Sequence, residues 1–193
     1  MRKVVVLMHL TLDGVMQAPG RPDEDVRDGF THGGWAVPRG DAMGLVDVGL
    51  GSQGALLLGR RTYEDFYAFW PRQVENPFTA MLTSMQKYVA STTLQELLPW
   101  RNSTLVPGDA AEAVAALKAE PGPDLLVMGS GVLLQTLMRH NLVDRFVLLI
   151  HPLVLGTGRK LFPEGGIPTE LQLIDATSAP SGVIIATYFP ATA

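Results

Sequence analysis

Short runs of branched and apolar residues recur along this chain, each bounded by Gly, Pro, Asn, Asp or Ser, and that rhythm narrows the folds open to it. Lys3–Leu10, Ala55–Leu58, Lys87–Ala90, Thr104–Val106, Leu125–Met128 and Arg145–Leu155 read as strands. Between several of them the apolar residues take a helical period. Asp109 is placed to cap a helix over Ala110–Glu120, which Pro121-Gly122-Pro123 stops. Val132–His140 sets Leu133, Leu134 and Leu137 on one helical face. Strands alternating with helices imply a largely parallel sheet, because parallel neighbours need a crossover and the crossover helices then cover both faces. The last stretch departs from this. Leu171–Thr177 and Val183–Phe189 flank Ala179-Pro180-Ser181-Gly182, which reads as two strands joined by a turn and adds an antiparallel edge. The predicted class is α/β.

With 193 residues, 47% of them hydrophobic and 18% charged, the chain suits one domain with ample apolar surface for a core. Fifteen Lys and Arg oppose 19 Asp and Glu, a net charge of −4, and no basic block is present. The counterion release that drives nucleic-acid binding is therefore missing. The absence of Cys excludes disulfides, thiolate catalysis and Cys-ligated metal, and suits a reducing compartment or is simply indifferent to it. Arg2 and Lys3 ahead of Val4–Met8 imitate a secretory leader, but His9, Thr11 and Asp13 interrupt the run at once, so a buried first strand is expected. No run approaches the ~18 apolar residues of a membrane span. A cytoplasmic protein, bound to neither membrane nor nucleic acid, is the expectation.

Three strand ends carry residues suited to a phosphorylated ligand. In Val127-Met128-Gly129-Ser130-Gly131-Val132 a strand passes into a helix through two glycines, where a helix N-terminus can meet an anion. A tight turn with no ligand is the alternative. Leu58-Gly59-Arg60-Arg61-Thr62-Tyr63-Glu64 repeats the strand-to-helix order and offers two guanidiniums, whose forks match phosphate oxygens. Ala90-Ser91-Thr92-Thr93 supplies hydroxyls, or else a simple cap. Carboxyl ends of parallel strands are where such sheets bind ligands. Gly49-Leu50-Gly51-Ser52-Gln53-Gly54 spells G-x-G-x-x-G, yet Asp41–Leu50 reads as helix and the strand follows, the reverse of a dinucleotide fingerprint. Were Val46–Leu50 a strand, a Rossmann alternative would stand. The aperiodic loop from Asp13 to Asp41 is long enough to be a binding segment or a flexible insertion. His9, His32, His140 and His151 lack metal-ligand spacing, and no metal is expected.

Read in order, these segments resemble the dihydrofolate reductase-like superfamily, most closely its riboflavin-biosynthesis reductase domains of the RibD C-terminal type. The likeness runs from Leu12-Asp13-Gly14 through Leu57–Glu64, Lys87–Ser91, Asn102–Leu105, Val127–Gly131 and Leu142–Asp144 to His151–Gly158 and Leu161–Pro163. It implies a single dihydrofolate reductase-like domain over residues 1–193, a mainly parallel twisted sheet flanked by helices with antiparallel C-terminal strands, and NADPH as cofactor. Carried over, Gly59, Arg60, Arg61 and Thr62 hold phosphates, with the arginines nearest the 2′-phosphate. Ser91 and Thr92 lie by the adenosine, and Gly129, Ser130, Gly131 and Val132 cradle the pyrophosphate. His9 and Thr11 stand where substrate meets nicotinamide, and Asp13 is the candidate catalytic carboxylate, with a turn-forming role before Gly14 as its alternative.

Folate-reducing members carry Leu-Pro-Trp shortly after the first strand and an acidic residue on the next helix. Here Leu98-Pro99-Trp100 stands far downstream. The expected activity is reduction of a small planar heterocycle of pyrimidine or pteridine type, with a non-catalytic nucleotide-binding module as the alternative. A homodimer through the apolar Val147–Leu155 run is the expected assembly.

Overall fold

The computed structural model describes residues 1–47 and 54–191. They form two compact units, Met1–Val5 with Gly49–Val143, and Val6–Val48 with Asp144–Ala193. Strand β1, Val4–Thr11, starts in the first unit and continues into the second.

In the first unit, β2 (Ala55–Gly59), β3 (Lys87–Ala90), β4 (Ser103–Val106) and β5 (Leu125–Met128) stand in the order β4-β3-β2-β5, every neighbouring pair parallel. Ala55, Leu56, Leu57 and Leu58 are fully buried, as an apolar run without alternation requires of a strand covered on both faces. The helices are α1 (Arg60–Phe69), α2 (Pro77–Ser84), α3 (Ala110–Ala119) and α4 (Gly131–Arg139). Asp109 caps α3 as expected, its Oδ1 accepting from the N–H of Ala111 at 2.9 Å and of Glu112 at 3.1 Å. Helix α4 buries Leu133, Leu134 and Leu137. Helix α2 was not anticipated: only two turns long, it starts from a capping box in which Asn76 and Thr79 bond each other's backbone, with Pro77 at its first position. Its C-terminus is tied to β3 by Lys87. That side chain is fully buried, and its Nζ donates to the carbonyls of Thr83, Met85 and Arg101 at 3.2, 2.8 and 3.3 Å while lying 4.3 Å from the centre of the Trp100 ring.

In the second unit, β6 (Arg145–His151) pairs antiparallel with β8 (Ile184–Pro190), which pairs antiparallel with β7 (Leu171–Ser178). The turn between β7 and β8 is closed by the Ala179 N–H on the Val183 carbonyl at 2.8 Å. Two expectations need correction here. Strand β6 ends at His151 rather than Leu155, because Pro152 has no N–H to continue a ladder. The helix expected over Asp41–Leu50 is instead a 3-10 segment at Val37–Leu45, begun by Pro38 and kinked at Arg39, with Gly40 and Gly44 weakening any α-helix; residues 48–50 of the expected span lie outside the described residues. Gly49–Gln53 of the G-x-G-x-x-G likewise fall outside them, and β2 follows one residue after Gly54.

The long loop after β1 is ordered by its own small core. Val15, Ala18, Phe30, Trp35 and Ala36 are buried together, with Leu153 and Leu155 packed on them. The Trp35 indole N–H donates to the Gln17 carbonyl at 2.7 Å, and Gln17 spends its amide on the carbonyls of Asp25 and Arg27. At Gly158 a Cβ would lie 2.7 Å from Phe30 and 2.8 Å from Val15, so only glycine admits that close approach.

Candidate functional site

In the first unit, register decides which loops share an edge. Gly59 pairs with Ala90, and Ala55 pairs with Leu125, which puts the ends of β2, β3 and β5 on one side. Strands β2 and β5 each run straight into a helix, and neither Gly59 nor Ser130 closes that helix with a side-chain cap. The first-turn N–H groups of α1 and α4 therefore have no intrahelical acceptor, and both dipoles point their positive ends to this edge.

The two turns are laced together. The Gly59 N–H donates to Ser130 Oγ at 3.0 Å, and the Ser130 N–H donates to Thr62 Oγ1 at 2.9 Å. Gly129 and Ser130 both adopt left-handed backbone, φ +59° and +55°. A Cβ on Gly129 would stand 3.1 Å from the Thr62 methyl, so glycine is required there by conformation and by space. Ser130 and Thr62 thus spend their polar groups bracing the turn. Gly131 and the largely exposed Val132 open the first turn of α4, whose N–H groups have no intrahelical acceptor.

Arg60 reaches Glu64 one turn on, at 3.2 Å between partly exposed groups, a pair weak enough to open for a stronger anion. Arg61 is exposed. Ser91 Oγ accepts from the N–H groups of Thr93 and Leu94 at 3.1 and 3.0 Å, which makes it the cap of a short turn, and Thr92 beside it is exposed. These residues fit a dinucleotide with phosphates at the two helix starts, since the cradle is uncapped, glycine-shaped and flanked by guanidiniums. Trp70, by contrast, belongs to an aromatic cluster with Phe66, Phe69 and Phe78.

In the second unit, the alternation of β1 puts His9 and Thr11 on one face, with Asp13 just past the strand end. The Thr11 hydroxyl donates to Asp13 Oδ1 at 2.5 Å, and the N–H groups of Leu155 and Gly156 donate to Oδ1 and Oδ2 at 3.2 and 2.8 Å. Thr11 Oγ1 in turn accepts from the Val15 N–H at 2.9 Å. These donors, the Thr11 hydroxyl foremost, hold the Asp13 carboxyl below the usual carboxylate range. Asp13 is thus an acceptor that ties the strand end to the loop after β6.

In the sequence His151 has no role of its own beyond its place in the strand over Arg145–Leu155 and in the family-like segment His151–Gly158. The fold makes it a partner of His9: His9 Nδ1 and His151 Nε2 are 2.8 Å apart, and the rings stand 5.1 Å centre to centre. His151 is fully buried, with Trp35 set edge-on at 5.1 Å. Burial, then the neighbouring His151, pushes His9 down to about 4. Burial, then the Arg39 charge, pushes His151 down to about 4 against the opposing pull of Asp41. Both rings are neutral at pH 7. The sequence signal for the pair was no more than a histidine within each of two apolar strand runs.

Among the described residues, no group of three His, Cys, Asp or Glu is arranged to hold a metal ion, and no helix is long and apolar enough to cross a membrane. The protein is similar to the uncharacterized protein YyaP of Bacillus subtilis (strain 168), 29% identical over 193 residues, 97% of this chain and 94% of that one. Its fold is similar to a pyrimidine reductase-like protein of Corynebacterium diphtheriae, with a TM-score of 0.67 and 14% identity over 100% of this chain and 93% of the other. It is also similar to the dihydrofolate reductase of Enterococcus faecalis solved with NADP(H), with a TM-score of 0.55 and 14% identity over 97% and 96% of the two chains. At such identities the likeness establishes the fold: α/β, a mostly parallel sheet with antiparallel C-terminal strands and flanking helices, as expected from the sequence. The family model of the RibD C-terminal domain matches residues 2–185, and this chain belongs to that family, whose fold is that of reductases.

Proposed function

We propose that this protein is an NADPH-dependent oxidoreductase that reduces a small planar heterocycle of pyrimidine or pteridine type. The observation that carries the reading is the pair of uncapped helix starts, α1 and α4, joined through Gly59, Ser130 and Thr62 on the carboxyl edge of parallel strands. NADPH, when bound, supplies the hydride. The N–H groups of Gly131 and Val132 meet the pyrophosphate, and Ser130 and Thr62 keep their turn in shape. Arg60 and Arg61 answer the 2′-phosphate, Arg60 by exchanging Glu64 for it. Gly59 lets the backbone approach, and Ser91 and Thr92 border the adenosine.

His9 and Thr11 border the substrate. Asp13, held ionised, orders the end of β1, and the proton that accompanies the hydride comes from a water at its carboxylate rather than from the carboxyl itself. One domain spanning the chain, a homodimeric assembly and a cytoplasmic location complete the proposal. A second reading, a nucleotide-binding module without turnover, is favoured by one observation: every polar contact of Asp13 serves the loop.

Tryptophan fluorescence or calorimetry with NADPH and NADH, followed by absorbance at 340 nm with a panel of pterins, dihydrofolate and aminopyrimidinones, tests both. Saturable NADPH binding, a preference over NADH that Arg61→Ala removes, and NADPH oxidation with a panel compound are expected. Absence of NADPH binding refutes the proposal, and binding without oxidation of NADPH by any compound selects the second reading.

A further inference from the structure

The histidine pair in the second unit carries a consequence for what the site can recognise. A neutral imidazole has one N–H and one bare nitrogen. The 2.8 Å contact between His9 Nδ1 and His151 Nε2 places one proton between the rings, so two arrangements are open. If His9 Nδ1 carries that proton, His151 holds its own on Nδ1 and His9 Nε2 is bare. If His151 Nε2 carries it, His151 Nδ1 is bare and His9 presents an N–H at Nε2.

The deciding atom is His151 Nδ1. It is buried and has no hydrogen-bond partner among the described residues. A buried N–H without an acceptor is the rarer and costlier orphan, while a bare acceptor nitrogen is better tolerated. The surroundings point the same way. Trp35 offers His151 ring carbons at 89°, and of the two charged groups that act on it, Arg39 and Asp41 from the segment after Trp35, the Arg39 cation has the larger effect. A positive charge favours a lone pair over an N–H. His9, the half-buried member, then carries its proton on the nitrogen remote from His151.

We propose that His151 is a positioning residue that locks His9 as a neutral Nε2–H donor, and that His9 selects substrates with a hydrogen-bond acceptor, a ring carbonyl or bare ring nitrogen, over those with an amino group there. The inference rests on the reading of His9 as a substrate-facing residue. It narrows the heterocycle to the oxo class and gives the protein a donor that neither Asp13 nor Thr11 supplies, since both are committed to the loop.

The tautomer is measured without any ligand. In long-range nitrogen–proton correlation spectra of the 15N-histidine full chain at pH 7, both rings are expected as neutral Nε2–H tautomers, with signals assigned through His9→Gln and through the exposed positions by His32→Gln and His140→Gln. A charged ring, or His9 as the Nδ1–H tautomer, overturns the lock. Recognition is measured with pterin and 2,4-diaminopteridine as probes on the NADPH-loaded protein, by competition or calorimetry. Pterin, with its 4-oxo group, is expected to bind about tenfold tighter, the worth of one neutral hydrogen bond.

His151→Gln, whose amide N–H can still donate to His9 Nδ1, keeps that preference. His151→Leu, which leaves His9 free to change tautomer, loses it. Equal affinities in the unmodified protein, or a preference that His9→Leu leaves intact, overturn the proposal. Failure of either probe to bind overturns its ligand half, whereas failure of NADPH oxidation alone counts against the reductase reading and not against the lock.

Discussion

Acid should unfold this protein in a window set by two histidines. Free histidine titrates near ~6.5, whereas His9 and His151 are held down to about 4 in the folded chain. The unfolded state therefore binds more protons than the folded one between these values, and stability falls as pH falls from about 6.5 towards 4. At pH 4.5 each ring is almost fully charged in the unfolded chain and mostly neutral in the folded one, a difference on the order of a few kcal/mol for the pair. Near pH 5.3 almost two protons enter on unfolding, so the slope is on the order of 2–3 kcal/mol per pH unit. That is a large share of a typical domain's stability. Asp13, Asp25 and Asp41, whose carboxyls are held below the ordinary range, add stability that is present above about pH 4 and is lost only below it, so the two effects separate on the pH axis. Urea unfolding followed by circular dichroism at half-unit steps from pH 7.5 to 4.5 measures this. The double variant His9→Gln/His151→Gln keeps an amide at each position and removes the titration, and its stability should be nearly flat above pH 5. Parallel curves for the two proteins would refute the reasoning, since the acid sensitivity would then lie elsewhere.

Gly129→Ala should weaken NADPH binding about tenfold, because the left-handed φ and the 3.1 Å approach to Thr62 both resist a Cβ, and calorimetry on the folded variant checks it. Asp13→Ala removes two hydrogen bonds from the loop after β6 and the local one from Thr11; a loss of ~2 kcal/mol in urea unfolding and faster proteolysis between residues 13 and 41 are expected. Lys87→Met strips the donor from three carbonyls in a fully buried place, and a loss of ~3 kcal/mol, with no change in the response of His9 and His151 to pH, is the expected result.

Much of the fold was legible because its signals are local. The apolar run Ala55–Leu58, the cap Asp109 and the spacing of Leu133, Leu134 and Leu137 each declare an element through neighbours in the chain, and the structure has those elements within a residue or two. The two strand-glycine-helix turns were legible for the same reason, since that order is a local pattern. Which group each candidate spends on holding its own turn was not. That depends on Thr62 meeting Ser130, 68 positions away, and on Asp13 meeting Leu155 and Gly156, 142 and 143 positions away. The pairing of His9 with His151 is of the same kind, separated by 142 positions. Chain order states what each residue can donate or accept, but a polar group's partner, its burial and hence its charge are settled where distant strands end side by side. A linear pattern therefore placed glycines at two strand-to-helix turns, while folding alone made Asp13 a clamp and brought His9 and His151 together as a neutral pair.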